Sequence, residues 1–303
     1  MLHGRLLRYL DEVCRAGSIR KASVRLNVAS SAINRRIIEL EQELGTPIFE
    51  RLPRGLRLTA AGEVLIQHVR ETLREHDRAL GRINGLKGLV RGEVSIATMN
   101  GLASNVLGDA LIQFRDVHAR VKLNVSVLSG ERIIHALISG EADLGLAYNL
   151  PATPRLTRMA ELHQRLGAVM APDHPLAGRD SVRFSDCAAY PIVAARPGMS
   201  LRAAIELILP SNSELAPVIE TDSLELMKRL VLSPPYITIV NRGDVGQEVA
   251  GGLMTFIPFA GGVGRQHVSL VHRSKGTLDP AVSTVARFIE GAMLARRALQ
   301  DGS

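Results

Sequence analysis

Residues Ser18 to Gly45 read SIRKASVRLNVASSAINRRIIELEQELG, and no other stretch constrains the fold as strongly. Two segments of helical apolar spacing lie back to back with a short break between them. Ile19, Ala22, Ser23 and Leu26 predict one helix with these residues inward. The small pair Ala22 and Ser23 lets another helix approach closely. Ser18, just before it, is an N-cap type whose hydroxyl is suited to accept a bond from an orphan N–H one turn on. Asn27-Val28 forms the break, because Asn tolerates turn conformations. A further helix is expected from about Ser30 to Leu44, with Ala32, Ile33, Ile37, Leu40 and Leu44 inward and Gly45 as its stop. Upstream, Leu2, Leu6, Leu7, Leu10, Val13 and Cys14 recur at helical spacing in a first helix that fades at Ala16-Gly17.

Two helices joined by a tight turn, the second offering a polar face, form the helix-turn-helix pattern. The outward face near the start of that second helix holds Ser30, Ser31, Asn34 and Arg35. These are side chains that read base edges: Arg on guanine, Asn on adenine, Ser on either. Arg36 lies a step round, towards phosphate. The following stretch IFERLPRGLRLTAAG places Phe49, Leu52 and Leu58 among basic residues, with a turn at Pro53-Arg54-Gly55. It predicts a two-stranded wing tipped by Arg54 and flanked by Arg51 and Arg57, placed for backbone or minor-groove contact. Residues 1–58 carry 11 basic and 6 acidic side chains, a net +5, so the rest of the +7 chain holds only +2. A basic module on a nearly neutral body points to a polyanion partner. The competing reading of the same pattern is a solvated amphipathic helix in a bundle.

From Tyr9 through Gly62 the chain resembles the N-terminal domain of the LysR-type transcriptional regulators. The resemblance is carried by Gly17-Ser18, Ala22, Leu26, Ala32, Ile37, Leu40-Glu41, Leu44-Gly45, Phe49, Arg51, Leu58-Thr59 and Ala61-Gly62. Members of that family often have Gln in place of Ser30, Ser in place of Asn34, and a small polar cap in place of Ala29. A shared base preference is therefore not implied. What the resemblance implies is double-stranded DNA as partner, with Ser18, Ser30, Ser31, Asn34, Arg35, Arg36, Arg51, Arg54 and Arg57 as contact residues.

Thr59 is placed to cap a long helix from Ala60. Along it Ile66, Val69, Leu73, His76, Leu80 and Ile83 fall at alternating steps of three and four, an a/d seam with His76 in a d-type slot. The flanks are charged, so the helix buries little unless it pairs, and a homodimer or homotetramer is expected; the alternative is a single amphipathic helix lying on its own domain. Linker helices pair in the family it resembles. Pairing two such modules demands two half-sites about one helical turn or a multiple apart, an interrupted inverted repeat. The stretch GLKGLVRGE then reads as a hinge.

From Glu93 onward, short Val/Ile/Leu runs alternate with helical segments: EVSIAT, VKLNVSVL and ADLGLAY as strands, then RLGAVMA, PIVAA, APVIET, YITIV, LMTFIPF and QHVSLVHR, with a closing helix from Pro280 to about Leu299. That series predicts a mostly parallel α/β body of two lobes with a cleft between them. SGEADLGLAY, HPLAG, TDSLELMKRLV and GGLMTFIPF are similar to the effector-binding domain of the same family, whose architecture is that of periplasmic solute-binding proteins. The expected organisation is a winged helix-turn-helix domain (1–58), a linker helix and hinge (59–92) and an effector-binding domain (93–303). Lobe I would take about 93–162 and 267–303, and lobe II about 163–266. Ligands in such sheets bind beyond the strands' carboxyl ends. Thr98, Asn100, Ser200, Arg202 and Thr221 are the candidate contacts, with Arg202 placed to clamp a carboxylate.

Nothing in the chain calls for a cofactor or metal. It has no Gly-Xaa-Ser-Xaa-Gly elbow, no P-loop and no His-Glu-Xaa-Xaa-His motif, and its nine His show no ligand spacing. An enzyme is not expected. Cys14 and Cys187 read as reduced, buried thiols of a cytoplasmic protein. No signal peptide and no membrane-length apolar run is seen, so no membrane partner is expected. The full expectation is a DNA-binding transcriptional regulator modulated by a small-molecule effector, with RNA polymerase as a further contact. The alternative is an architectural DNA-binding protein whose C-terminal body only oligomerises.

Overall fold

The computed structural model describes residues 5–53, 55–85, 92–209, 214–274 and 278–301. It divides into two compact units, 1–92 and 93–303.

In the first unit, helices α1 (Arg5–Ala16), α2 (Ile19–Leu26) and α3 (Ser30–Leu44) precede a hairpin of β1 (Phe49–Leu52) and β2 (Gly55–Leu58), then helix α4 (Ala60–Gly85). The break between α2 and α3 is set by Asn27, which adopts the left-handed conformation (φ 50°, ψ 48°) and donates its N–H to the end of α2. Ser18 sits at the N-cap in extended backbone but makes no side-chain cap bond; its carbonyl accepts from the Ala22 N–H at 3.0 Å instead. Leu10 and Val13 of α1, Ala22, Ile33, Ile37, Ile48 and Phe49 close one core. Ala32 and Leu44, expected inward, are exposed. The apolar stripe of α3 is Ile33, Ile37 and the partly buried Leu40, and Ala32 turns with Ser31 towards solvent.

Thr59 caps α4 as expected, its Oγ1 accepting from the Gly62 N–H at 3.0 Å. The seam read along α4 divides. Ile66 is 4% exposed and Val69 0%, and both complete the core of the same chain, with Leu73 half-buried against it. Arg70 reinforces this by pairing with Asp11 of α1 at 3.0 Å, both groups largely buried. Ile66 and Val69 are used within the protomer, which corrects the expectation that they serve dimerisation. Leu80 and Ile83 remain exposed, at 41% and 51%.

In the second unit, β3 (Gly92–Thr98) leads into α5 (Asn100–Leu102), a π-helical turn (Ala103–Leu107) and α6 (Gly108–Val117). Then come β4 (Val121–Val127), α7 (Gly130–Ser139), β5 (Leu144–Tyr148) and the long β6 (Leu156–Met170). The chain continues through α8 (Phe184–Ala188), β7 (Ile192–Ala195), α9 (Ser200–Glu206), β8 (Ile219–Thr221), α10 (Leu224–Val231) and β9 (Ile237–Asn241). It ends with α11 (Gly246–Ala250), β10 (Thr255–Pro258), β11 (Arg265–Arg273) and α12 (Pro280–Asp301). The strand order is β4-β3-β5-β11-β6-β9-β7-β8, with β10 also pairing β6.

The sheet is mixed rather than mostly parallel. β3 and β5, β7 and β8, and β7 and β9 pair in parallel, whereas β6 and β11 run against their neighbours. β6 pairs with β11 through Arg165 and with β9 from Leu166 onward. The change of lobe therefore falls at Arg165/Leu166, a few residues beyond the expected 162/163. In lobe II, Leu166, Ala168 and Ile239 face one apolar layer, and Val169, Val193 and Val240 face the other. In lobe I, Phe114 of α6 meets Phe288 of α12 edge to face at 5.4 Å.

A Cβ added at Gly62 would lie 2.1 Å from the Ile48 carbonyl oxygen. Gly62→Ala is expected to force backbone movement costing about 1–3 kcal/mol. Urea unfolding followed by circular dichroism checks this; an unchanged midpoint would show that the close approach carries no energetic weight.

Candidate functional site

Helix α3 presents Ser30, Ser31, Arg35 and Arg36 to solvent, with Asn34 half-buried at the edge of this face. Its N-cap is Ala29, which offers no side-chain acceptor, so the first N–H groups of the helix are not capped by a side chain. Glu39, one turn on, holds both arginines: Arg35 Nε at 2.8 Å and Arg36 Nη1 at 3.0 Å. Hydrogen bonding from Arg35 keeps the Glu39 carboxyl below the usual carboxylate range. Both pairs are exposed and so weakly held.

The hairpin packs beside this helix. Gly55, at φ 138°, lies so close to the turn after α1 that a Cβ would come within 2.7 Å of the Gly17 oxygen. The Leu56 N–H bonds that same oxygen at 2.9 Å. Arg51 Nη2 donates to Asn34 Oδ1 at 3.0 Å, tying the hairpin to α3. Arg57 pairs across the hairpin with Glu50 at 2.6 Å. Arg54 lies outside the described residues. Ser30, Ser31, Asn34, Arg35, Arg36 and Arg51 are thus gathered on and beside one helix. Ser18 is set apart from them at the start of α2.

The second unit holds a cleft of about 590 Å³ at the carboxyl ends of its parallel strands. Lobe I contributes Met99, Asn100 and Gly101 after β3, Val127 to Ser129 at the end of β4, and Tyr148 at the end of β5. Lobe II contributes Gly198 to Leu201 after β7, Asp222 after β8, and Asn241 and Asp244 after β9. Asn100 and Ser200 line it as expected. Thr98 does not: it is fully buried, and its hydroxyl donates to the Leu146 carbonyl at 3.1 Å. Thr221 also lies behind the wall, its Oγ1 accepting from the Ser223 N–H at 3.1 Å. Arg202 is bound to Glu206 and Glu220, each at 2.7 Å, and does not reach the cleft. No carboxylate clamp forms there.

Tyr148, Asp222, Asn241, Asp244, Met99 and Met227 line the cleft without having been singled out in the sequence. Tyr148, Asp222, Asn241 and Asp244 each stand at or shortly after the carboxyl end of a strand. Among the described lining residues none is Arg, Lys or His, and two are Asp. The Tyr148 hydroxyl donates to Asp244 Oδ1 at 3.3 Å, joining the lobes. Gly101 comes so near that a Cβ there would meet the same oxygen at 2.2 Å. Burial pushes the Asp244 carboxyl from 3.8 up to about 6, against hydrogen bonds from Asn241 and Tyr148. Burial, with Asp244 beside it, also drives the Tyr148 hydroxyl well above its ordinary value. The Cys187 thiol is raised to about 12 by burial, leaving it inert at neutral pH. No helix among the described residues is long and apolar enough to cross a membrane.

Residues 5–63 match the family model described as "Bacterial regulatory helix-turn-helix protein, lysR family", and residues 87–294 match "LysR substrate binding domain". The chain belongs to the LysR family: it is a DNA-binding transcriptional regulator with an effector-binding domain. It is 27% identical over 292 residues to the "RuBisCO operon transcriptional regulator" of Allochromatium vinosum, covering 94% of each. It is 27% identical over 293 residues to the "SDS degradation transcriptional activation protein" of a Pseudomonas strain, again covering 94% of each. Among solved structures, full-length OxyR from Pseudomonas aeruginosa superposes with a TM-score of 0.71 at 18% identity, over 96% of this chain and 95% of that one. Full-length CbnR complexed with its target DNA gives 0.63 at 20% identity, over 95% and 99%. These two show the fold.

Because the folded Asp244 pKa lies above the unfolded one, the folded state binds the extra proton between about pH 4 and 6. The stability this supplies is fully present below the unfolded value and is lost as pH rises through about 6. Asp244→Asn is expected to flatten that slope. Urea midpoints from pH 4 to 7 on both proteins check it, and parallel curves would refute it.

Proposed function

We propose that α3 enters the major groove, with Ser30, Ser31, Asn34 and Arg35 at base edges and Arg36, Arg51, Arg54 and Arg57 on phosphates. Ser18, at the start of α2, lies against the backbone. The observation that carries this reading is the uncapped, Ser/Asn/Arg-faced start of α3, set after the Asn27 turn in a module of net +5. Capture of CbnR with its target DNA supports it. The exposed end of α4, at Leu80 and Ile83, pairs with a second copy, giving a dimer or tetramer on an interrupted inverted repeat. The protein acts in the cytoplasm, with RNA polymerase as a further contact.

A small-molecule effector occupies the cleft between the lobes. With Asp222 and Asp244 as its only formal charges among the described lining residues, the cleft suits a ligand with an apolar body and a cationic or donor-rich end. The carboxylate read around Arg202 loses its support, because that guanidinium is already committed to two glutamates. Binding shifts lobe packing, and with it DNA affinity, only by the ligand's difference in affinity between the two arrangements. A purely architectural DNA binder has no use for a cleft built at six strand ends.

Footprinting on the protein's own promoter tests the reading, with a phased protected site and at least about tenfold preference over random DNA expected. Arg35→Ala should relax specificity at one position, weakening the correct site about 10- to 100-fold. Equal weakening on every sequence would move Arg35 to a phosphate. Replacing Leu80 and Ile83 together by Glu should shift the protein to monomers in light scattering; an unchanged mass would sink the pairing at this end of α4.

A further inference from the structure

On the outer face of the β6–β11 ribbon, His163 stands directly opposite His267 in the antiparallel register. Glu161 precedes His163 by two residues on β6, so it shares that face. The imidazole centroids are 4.8 Å apart with the rings at 80°. Glu161 Oε1 lies 3.5 Å from His267 Nδ1. One donor atom from each of the three residues falls within 4.8 Å of the others, and all three side chains are exposed. We infer that Glu161, His163 and His267 form a binding site for a divalent transition-metal ion such as zinc, nickel or copper.

Such ions take imidazole nitrogen at about 2.0–2.1 Å and carboxylate oxygen at about 2.0–2.2 Å. Ligand atoms round one ion are then about 3.3 Å apart. The observed separations, all within 4.8 Å, exceed that value by no more than about 1.5 Å. Two ligands at i and i+2 on one strand, with the third opposite on its neighbour, converge from one side and leave a coordination position open. Two nitrogens and one oxygen select borderline ions; calcium and magnesium prefer oxygen ligands.

The scaffold is rigid. β6 and β11 pair from Leu156/Arg273 to Arg165/Arg265. Asn149 pins His267 twice, donating its N–H to the His267 carbonyl at 2.7 Å and accepting the His267 N–H at 2.9 Å. Two features oppose binding. Arg158 already holds Glu161 at 3.0 Å, and Arg165 faces Arg265 two residues further along. The Arg158 pair is solvent-exposed and weakly held, so three coordination bonds displace it. The linear separation of the two histidines hides the site, which only strand pairing assembles.

The test uses the full-length protein, stripped with a chelator, and zinc or copper titrated against a chromophoric competitor. One ion per chain is expected to bind at this site. His163→Ala/His267→Ala should lose that equivalent, leaving residual binding at least about tenfold weaker. Copper-loaded wild type should show two nitrogen ligands by electron paramagnetic resonance, and zinc should raise its Tm but not that of the double variant. Both replaced side chains are exposed, and circular dichroism checks that the variant folds. Equal stoichiometry and affinity in the two proteins would mean adventitious surface binding only and would overturn the assignment.

Discussion

Strand β6 is hydrogen-bonded to strands of both lobes, to β11 along its first ten residues and to β9 and β10 along its last five. Everything else in the C-terminal unit follows from that continuity. The lobes share β6, whose pairing passes from β11 to β9 at Arg165/Leu166. Three strands on each side then end at the same crevice, where ligands collect in open α/β sheets. The Tyr148–Asp244 bond and the close approach of Gly101 lie across the same crevice, so the groups that line the cleft also join the lobes.

In the N-terminal unit, glycines and one asparagine play the corresponding part. Asn27 turns the chain between α2 and α3. Gly55 lets the hairpin touch the turn at Gly17, and Gly62 lets α4 pass the Ile48 carbonyl. With these approaches made, Ile66 and Val69 seal the core and Arg70 ties α4 to α1. The outer face of α3 is therefore carried on a fully packed base. Its direction is set by buried contacts made elsewhere, and its surface side chains carry only exposed, weakly held pairs.

Much of this was legible in the residues. The α2–α3 turn, the hairpin, the Thr59 cap and most strands carry strong local signals. The first half of β6 does not, because its buried face includes Gln164 and its outer face Glu161, His163 and Arg165, leaving little apolar alternation. Arg202 was misjudged although Glu206 stands four residues on, an ordinary helical ion pair visible in the sequence. Its other partner, Glu220, is supplied by the sheet. Asp222 and Asn241 were missed because cleft membership depends on strand order, and strand order is a property of long-range pairing. The α4 seam misled because one apolar stripe serves a domain core and a partner helix equally well until the fold assigns it.

Glu39 holds the two guanidinium groups of α3 much as a nucleic-acid backbone would. On the proposed reading, a duplex competes with this resident anion. An ordinary phosphate offers one anion in place of another, close to an even exchange, whereas a well-placed guanine edge adds paired acceptors that a carboxylate on the same helix replaces only in part. If α3 reads bases as proposed, this exchange favours a true operator over unrelated sequence.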